Sequence, residues 1–354
     1  MGTNSSHEEI SIGVVVPNYN HGRFLTESLS SIARQSRQPE EVLIIDDGST
    51  DDSVAVIAHF LKDHPTWRLV RHTERRGAVR RLNEGVTEIH TAWVTLLGAD
   101  DVLGEEYLKI ASQMATEHPS VGMICGCVEI FGQDISREIR PPILPRNTRG
   151  YISPDEFRKL LRIGDNYFLG TATLYRRQTI TDLTGFDEEL GSLCDGFLSR
   201  QIAARHGFVF IPEVLGYWRI HGQNYSVSTA TDPQVLNKGI RLVQRALNRE
   251  PAGTFPRNYS RTLERQLRFS GIRLIVLDKN IPARVRAAQI AKMIKAGPFE
   301  QFMLGCLLSG GSPGAMTALA WLTTRLRPLS LPRLLWYTRQ RRAISAATKN
   351  TTPQ

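Results

Sequence analysis

The chain has few cysteines, no glycine-rich phosphate loop, no long unbroken apolar run and little acid in its last third. The four cysteines, Cys125, Cys127, Cys194 and Cys306, are too few and too irregularly spaced for a disulfide framework. Cys125-Gly126-Cys127 lacks the second half of a zinc site, and a reducing compartment is expected. No G-x-G-x-x-G follows the first apolar run, which argues against a dinucleotide cofactor. No G-x-x-x-x-G-K-[ST] occurs either, so a P-loop is excluded. Residues 301–324 carry no charge, but Gly310 to Gly314 interrupts them, leaving two pieces each too short to span a bilayer. The polar, acidic start, MGTNSSHEEI, is not a conventional signal peptide. Neither an internal repeat nor a low-complexity segment is present.

Charge is unevenly divided. Residues 231–354 hold 21 Lys and Arg against 5 Asp and Glu, a net of +16. The first 230 residues hold 23 against 30, a net of −7. An acidic body therefore precedes a basic tail. The composition, 41% hydrophobic and 22% charged, is that of an ordered globular protein long enough for one large α/β domain with an appendage or for two modest domains.

Two acidic pairs stand out. Asp46-Asp47 closes the run Val42 to Ile45, and Asp100-Asp101 follows Trp93 to Leu97. Short apolar runs of this kind predict buried parallel strands, which places each pair at a strand's C-terminal end. In open α/β sheets ligands bind at that edge. Carboxylates there suit Mg²⁺ or Mn²⁺ shared with a phosphate group. Asp-Asp-Gly-Ser-Thr-Asp alone is also a common turn and helix cap; two pairs at equivalent strand ends favour the binding role.

Ile12 to Val16 predicts a first strand, followed by the loop Pro17-Asn18-Tyr19-Asn20-His21 and a helix over 24–36. An aromatic ring flanked by amides could hold a flat base. Strands over 42–45, 67–70, 93–97 and 121–131 alternate with helices over 51–60, 75–90 and 105–117. This alternation predicts a doubly wound, mostly parallel α/β sheet. An irregular loop is expected over 140–150, a helix opened by Ser153-Pro154, a strand over 170–175 and a helix over 195–206. Residues 208–222 predict two short strands. Beyond about 229 the pattern is helical and basic.

Here the chain resembles the family 2 glycosyltransferases. VVVPNYNHGRFLTESLSSIARQSRQPEEVLIIDDGSTDDS matches their N-terminal signature, and LLGADD the next segment. GTATLYRRQTITDLTGFDEELGSLCDGFLSRQIAARHG and YWRIHGQNYS match later ones. The likeness runs from residue 10 to 228, implying a GT-A-type catalytic domain there and a separate basic helical region over 229–354. It implies an inverting transfer from a nucleotide-diphospho-sugar, UDP-linked by expectation, to a hydroxyl on a cell-surface glycan or lipid-linked oligosaccharide. By this resemblance Pro17, Asn18 and Tyr19 line the nucleoside pocket and Asp47 faces the base, while Asp46 supports the turn. Asp100 lies near the ribose or diphosphate, and Asp101 is the preferred ligand of Mg²⁺ or Mn²⁺. Asp195 is the catalytic base, and Arg219 and His221 meet the diphosphate. The chain departs from the family pattern at Gly98, where many members carry a further Asp, and at Cys194, where many carry Glu.

A processive synthase is not expected, since no Gln-x-x-Arg-Trp occurs. A nucleotidyltransferase would carry a glycine-rich basic loop in place of PNYNHG. Gly98 and Cys194 leave a non-catalytic sugar-nucleotide-binding domain as the other alternative, against which Asp100, Asp101 and Asp195 count. In the tail, six arginines from Arg325 to Arg342 interleave with Leu331, Leu334, Leu335, Trp336 and Tyr337. That pattern suits a helix lying on an anionic membrane from the cytoplasmic side, or else a packed subdomain with a basic face. No nucleic-acid module accompanies the charge.

Overall fold

The computed structural model describes residues 10–132, 138–140, 144–162, 164–165, 167–222, 224–278 and 280–326. Its first part alternates β1 (Ile12–Asn18), α1 (Gly22–Ala33), β2 (Glu41–Asp46), α2 (Ser53–Asp63), β3 (Trp67–Arg71), α3 (Ala78–Glu88) and β4 (Trp93–Leu96). The short β5 (Val102–Leu103), α4 (Tyr107–Glu117) and β6 (Met123–Gly132) come next. β7 (Glu138–Arg140), β8 (Gly150–Ile152), α5 (Pro154–Leu161), β9 (Thr173–Arg176), α6 (Arg177–Asp182) and α7 (Cys194–His206) lead to the long β10 (Phe208–Ile220). Ser153 and Glu156 form a reciprocal capping box at the start of α5, as the sequence predicts.

The strands join in one sheet of order β3-β2-β1-β4-β9-β6-β10-β5, with β7 beside β6 and β8 beside β10. Six of the eight strands on that path share one direction; β9 and β5 run against it. The sheet is thus mixed but mostly parallel. Each central strand is buried on both faces: Val14 and Val16 enter one core layer with α1, α2 and α4, and Val15 enters the other with α3 and α7. This two-sided burial is why the strands read as continuous apolar runs.

Residues 208–220 form one strand, where two are expected. Its register against β6 shifts between Ile211 and Val214 and again before Gly216. Pro212 donates no hydrogen bond, and a bulge lets the strand continue past it.

After β10 come α8 (Tyr225–Thr231), α9 (Pro233–Arg249), α10 (Tyr259–Leu277), α11 (Ala283–Ile294), α12 (Pro298–Ser309) and α13 (Gly311–Leu326). Val243, Ala246, Tyr259 and Leu263 of α9 and α10 sit in the same core layer as α3 and α7. Leu236 and Ile240 of α9, and Ile272, Ile275 and Val276 of α10, instead pack with α11, α12 and α13 in a layer of their own. The uncharged stretch 301–324 is therefore two helices, broken at Gly310 and Gly311. Among the described residues no helix is long and apolar enough to cross a membrane. Residues 331–337, where membrane insertion is expected, lie outside the described residues.

Candidate active site

The carboxyl ends of β1, β2 and β4 meet at one edge of the sheet. β1 ends at Pro17-Asn18 beside Ile45 and Asp46 of β2. Asp46 closes the following turn: its carboxylate accepts from Ser49 N (2.9 Å), Ser49 Oγ (2.6 Å) and Asn18 Nδ2 (2.7 Å). Asn18 is thereby fixed as a link between the two strands. Asn20, in left-handed conformation at φ 55°, accepts from Thr50 N at 2.8 Å. These contacts give the β1 loop its shape without using Tyr19, whose ring instead carries the Arg75 guanidinium at 4.3 Å.

Asp47 is buried and fully engaged. It accepts from Arg76 N (2.8 Å), Gly77 N (2.7 Å) and Arg81 Nε (2.6 Å). Burial pushes its pKa up, but the two backbone donors and Arg81 outweigh this and hold it below the ordinary carboxylate value. Arg81 also donates to Glu84 (2.7 Å), which faces His72 Nε2 at 2.8 Å. Beside this chain of charges lies a polar cleft of about 300 Å³ lined by His72, Thr73, Glu74, Arg76 and Arg81. A larger cleft between α1 and α2 contains none of the expected site residues.

The second acidic pair divides its tasks. Asp101 is buried, and both oxygens take protein donors: Thr171 Oγ1 at 2.5 Å and Arg219 N at 3.0 Å. Burial, then the neighbouring Asp100 charge, push its pKa well above the usual carboxylate range. Asp100 faces outward to imidazoles. Its Oδ2 lies 2.9 Å from His221 Nε2 and accepts from Asn224 Nδ2 at 3.2 Å, while Oδ1 lies 3.9 Å from His21 Nδ1. The Arg219 side chain donates to the Asp100 carbonyl (2.9 Å) and to Glu27, and its guanidinium lies 4.3 Å from the Phe131 ring centre. At Gly98 an added Cβ would stand 2.9 Å from Asp100 Oδ1 and 3.3 Å from Asp101 Oδ2. A side chain there would crowd both carboxylates, so the departure at 98 is matched to this packing.

Asp195 sits in the first turn of α7, where one oxygen accepts from Gly196 N at 2.7 Å. Burial raises its pKa, opposed by Gly196 N–H and the charge of Arg200. A Cβ on Gly170 would lie 2.8 Å from Asp195 Oδ2. Gly170 therefore touches Asp195 while the next residue, Thr171, holds Asp101. Two consecutive residues bring α7 to the acidic end of β4. Ala172, buried and left-handed at φ 60°, completes this turn, a conformation that costs a non-glycine residue about 1–3 kcal/mol.

A buried network supports α7 from behind. Arg200 donates to Asp165 through Nε (2.8 Å) and NH2 (2.7 Å), and to the Gly196 carbonyl (2.6 Å); Tyr259 of α10 also donates to Asp165. Motif reading missed Thr171, Arg81, Asn224, His21 and this network. Asn224 had a signal in the string HGQNYS, and His21 in PNYNH. Asp165 and Tyr259, 94 positions apart, had none.

A parallel nucleotide-edge sheet with an antiparallel strand inserted at its centre defines a GT-A-type glycosyltransferase fold. The family model for glycosyl transferase family 2 matches residues 13–183, just under half of the chain, and that stretch belongs to the family. GlyG of Streptococcus pneumoniae is 31% identical over 106 residues, 30% of this chain and 35% of its own length. An uncharacterized glycosyltransferase of Nostoc sp. is 28% identical over 245 residues, 67% of this chain and 74% of its own. The chain thus spans about a third of the first relative and three-quarters of the second. Among solved structures, S. aureus TarS 1–349 in complex with UDP-GlcNAc superposes with TM-score 0.56 at 16% identity, covering 90% of this chain and 91% of that one. The mannosyltransferase PcManGT of Pyrobaculum calidifontis, in complex with GDP-Man and Mn²⁺, gives 0.52 at 21% identity, covering 96% and 86%.

Proposed function

We propose that the protein is an inverting glycosyltransferase that moves a sugar from a UDP-sugar to a hydroxyl of a cell-surface glycan or lipid-linked oligosaccharide. The observation that carries this reading is the convergence of Asp100, Asp101 and Asp195 through the adjacent residues Gly170 and Thr171. The nucleoside lies between the Pro17-Asn18-Tyr19 loop and the polar cleft, with Tyr19 free to stack once Arg75 moves aside. Asp47 and Arg81 hold the wall of that cleft in shape. Arg219 meets the diphosphate, where its positive charge stabilises the leaving group, and His221 stands beside it. Asp195 takes the proton of the acceptor hydroxyl as the hydroxyl attacks the anomeric carbon from the side opposite the diphosphate.

The donor set fits a divalent ion: a carboxylate and two imidazoles offer ligand atoms within 4.8 Å of one another. Asp101, the ligand the resemblance prefers, has its two oxygens engaged by Thr171 and Arg219 N, so we assign the ion to Asp100 and His221 instead; when bound, it would neutralise diphosphate charge. Screening UDP-, GDP- and dTDP-sugars with Mn²⁺ tests the reading by nucleoside diphosphate release. Release from one nucleotide class, abolished by chelation, is expected; no release from any donor, with added glycan and lipid acceptors, contradicts it.

The raised pKa of Asp195 has a kinetic consequence. A base works only when ionised, so kcat/KM should fall on acidification starting from a pH above the range of an ordinary aspartate, whose pKa is about 3.9. A pH profile whose acid limb lies at that ordinary value would contradict the assignment.

The acceptor reading implies contact with an anionic lipid surface. Phe299 and Phe302 on α12 are 78% and 70% exposed, with Lys292 exposed on α11, Lys295 exposed just after it and Met316 exposed on α13. Apolar rings beside cations suit shallow insertion, each cation contributing about 1 kcal/mol near such a surface. Sedimentation with vesicles of anionic lipid should show loss of binding in Phe299→Ser/Phe302→Ser; equal partitioning of both proteins at physiological salt would rule the surface out. The full chain is needed, because truncation at 229 removes Val243, Tyr259 and Leu263 from the core.

A further inference from the structure

We infer that His21 is a third protein ligand of the divalent ion, so that the metal centre consists of one carboxylate and two imidazoles. The inference rests on the proposed placement of the ion beside Asp100 and His221. His21, Asp100 and His221 are the one group of three such side chains that converges in this way among the described residues. They come from three separate elements: the loop after β1, the turn after β4 and the end of β10.

The distances suit ligands of one ion, although the shorter of them is also a hydrogen bond. With metal–ligand bonds of about 2.1 Å, two donors on one ion lie about 3.0 Å apart when adjacent and about 4.2 Å apart when opposite. His221 Nε2 and Asp100 Oδ2 are 2.9 Å apart, and His21 Nδ1 and Asp100 Oδ1 are 3.9 Å apart. The second separation is too long for a hydrogen bond but within the span of two donors on one ion. His21 also stands at the N-cap position of α1 without using its side chain as a cap. The ring is therefore free of the task its position would usually give it.

Local chemistry supplies the reason for a third ligand. Gly98 contributes no carboxylate, and both oxygens of Asp101 are taken by Thr171 and Arg219. Asp100 is left as the outward-facing carboxylate of the pair. A single carboxylate holds a divalent ion weakly, and two imidazoles make up the set. Nitrogen ligands also move selectivity away from Mg²⁺, which prefers oxygen, toward Mn²⁺ and the later first-row ions. The competing account makes His21 a packing member of an aromatic group, since its ring lies edge-on to Phe24 at 6.0 Å and to His221 at 5.6 Å.

Pulsed electron paramagnetic resonance on the full chain loaded with Mn²⁺ and UDP separates these accounts by counting nitrogen-14 couplings to the ion. Two imidazole couplings are expected in the wild type and one each in His21→Ala and His221→Ala. Mn²⁺ affinity at saturating UDP should fall at least tenfold in His21→Ala, and His21→Gln with an unchanged thermal melt checks that the loss is not misfolding. If the wild type shows a single imidazole coupling that His21→Ala keeps, with its affinity, and His221→Ala loses, the ion is where proposed and His21 is not its ligand. If the wild type shows no imidazole coupling, the placement beside Asp100 and His221 is itself wrong, and the inference falls with it.

Discussion

Asp195→Asn is expected to lower kcat by at least about a hundredfold while leaving donor affinity unchanged. Asparagine keeps the size of the side chain and an oxygen that can accept from Gly196 N, so the first turn of α7 stays formed. What it loses is the ability to take a proton. The charge removed is already costly, because burial raises the pKa of Asp195. The substitution should therefore not destabilise the fold, and a thermal melt at or above the wild-type value is part of the expectation. Near-native turnover on the true acceptor would show instead that Asp195 only ends its helix.

The largest stability effect is expected at Arg200. Its side chain and that of Asp165 are 11% and 0% exposed, and the two make paired hydrogen bonds below 3 Å. Arg200→Met leaves the Asp165 carboxylate buried with Tyr259 as its remaining partner in the network. Breaking such a pair from one side costs about 3–5 kcal/mol, mostly the penalty of the charge left behind. Urea unfolding should show this loss, and Arg200→Met with Asp165→Leu should recover much of it. A single mutant within about 1 kcal/mol of wild type would mean that water reaches Asp165 and that the network does not tie α10 to α7.

Much of this architecture was legible because the central strands are buried on both faces. Val42 to Ile45 and Trp93 to Leu97 had no polar alternation to obscure them, and their acids could only fall at the ligand-binding edge. Direction was less legible. Thr173–Arg176 reads as a strand, but nothing local says that it inserts antiparallel between β4 and β6. Two short strands are expected over 208–222, and a bulge past Pro212 joins them into one. At the candidate site, motif strings single out Asp47, Asp100 and Asp195, whereas the partners the structure gives them depend on contacts between distant segments. Arg81 reaches Asp47 across 34 positions and Asn224 reaches Asp100 across 124. The different tasks of Asp100 and Asp101 also come from packing, since Thr171 closes over one carboxylate and not the other.

On the proposed reading the acidic edge binds a nucleoside diphosphate through a divalent ion. Calorimetric titration of UDP into the full chain, with Mn²⁺ and then with chelator, tests it most directly. Binding with Mn²⁺ is predicted, with loss of at least tenfold in affinity on chelation and a comparable loss in Asp100→Asn. UDP affinity that is the same with chelator, or unchanged in Asp100→Asn, would contradict it.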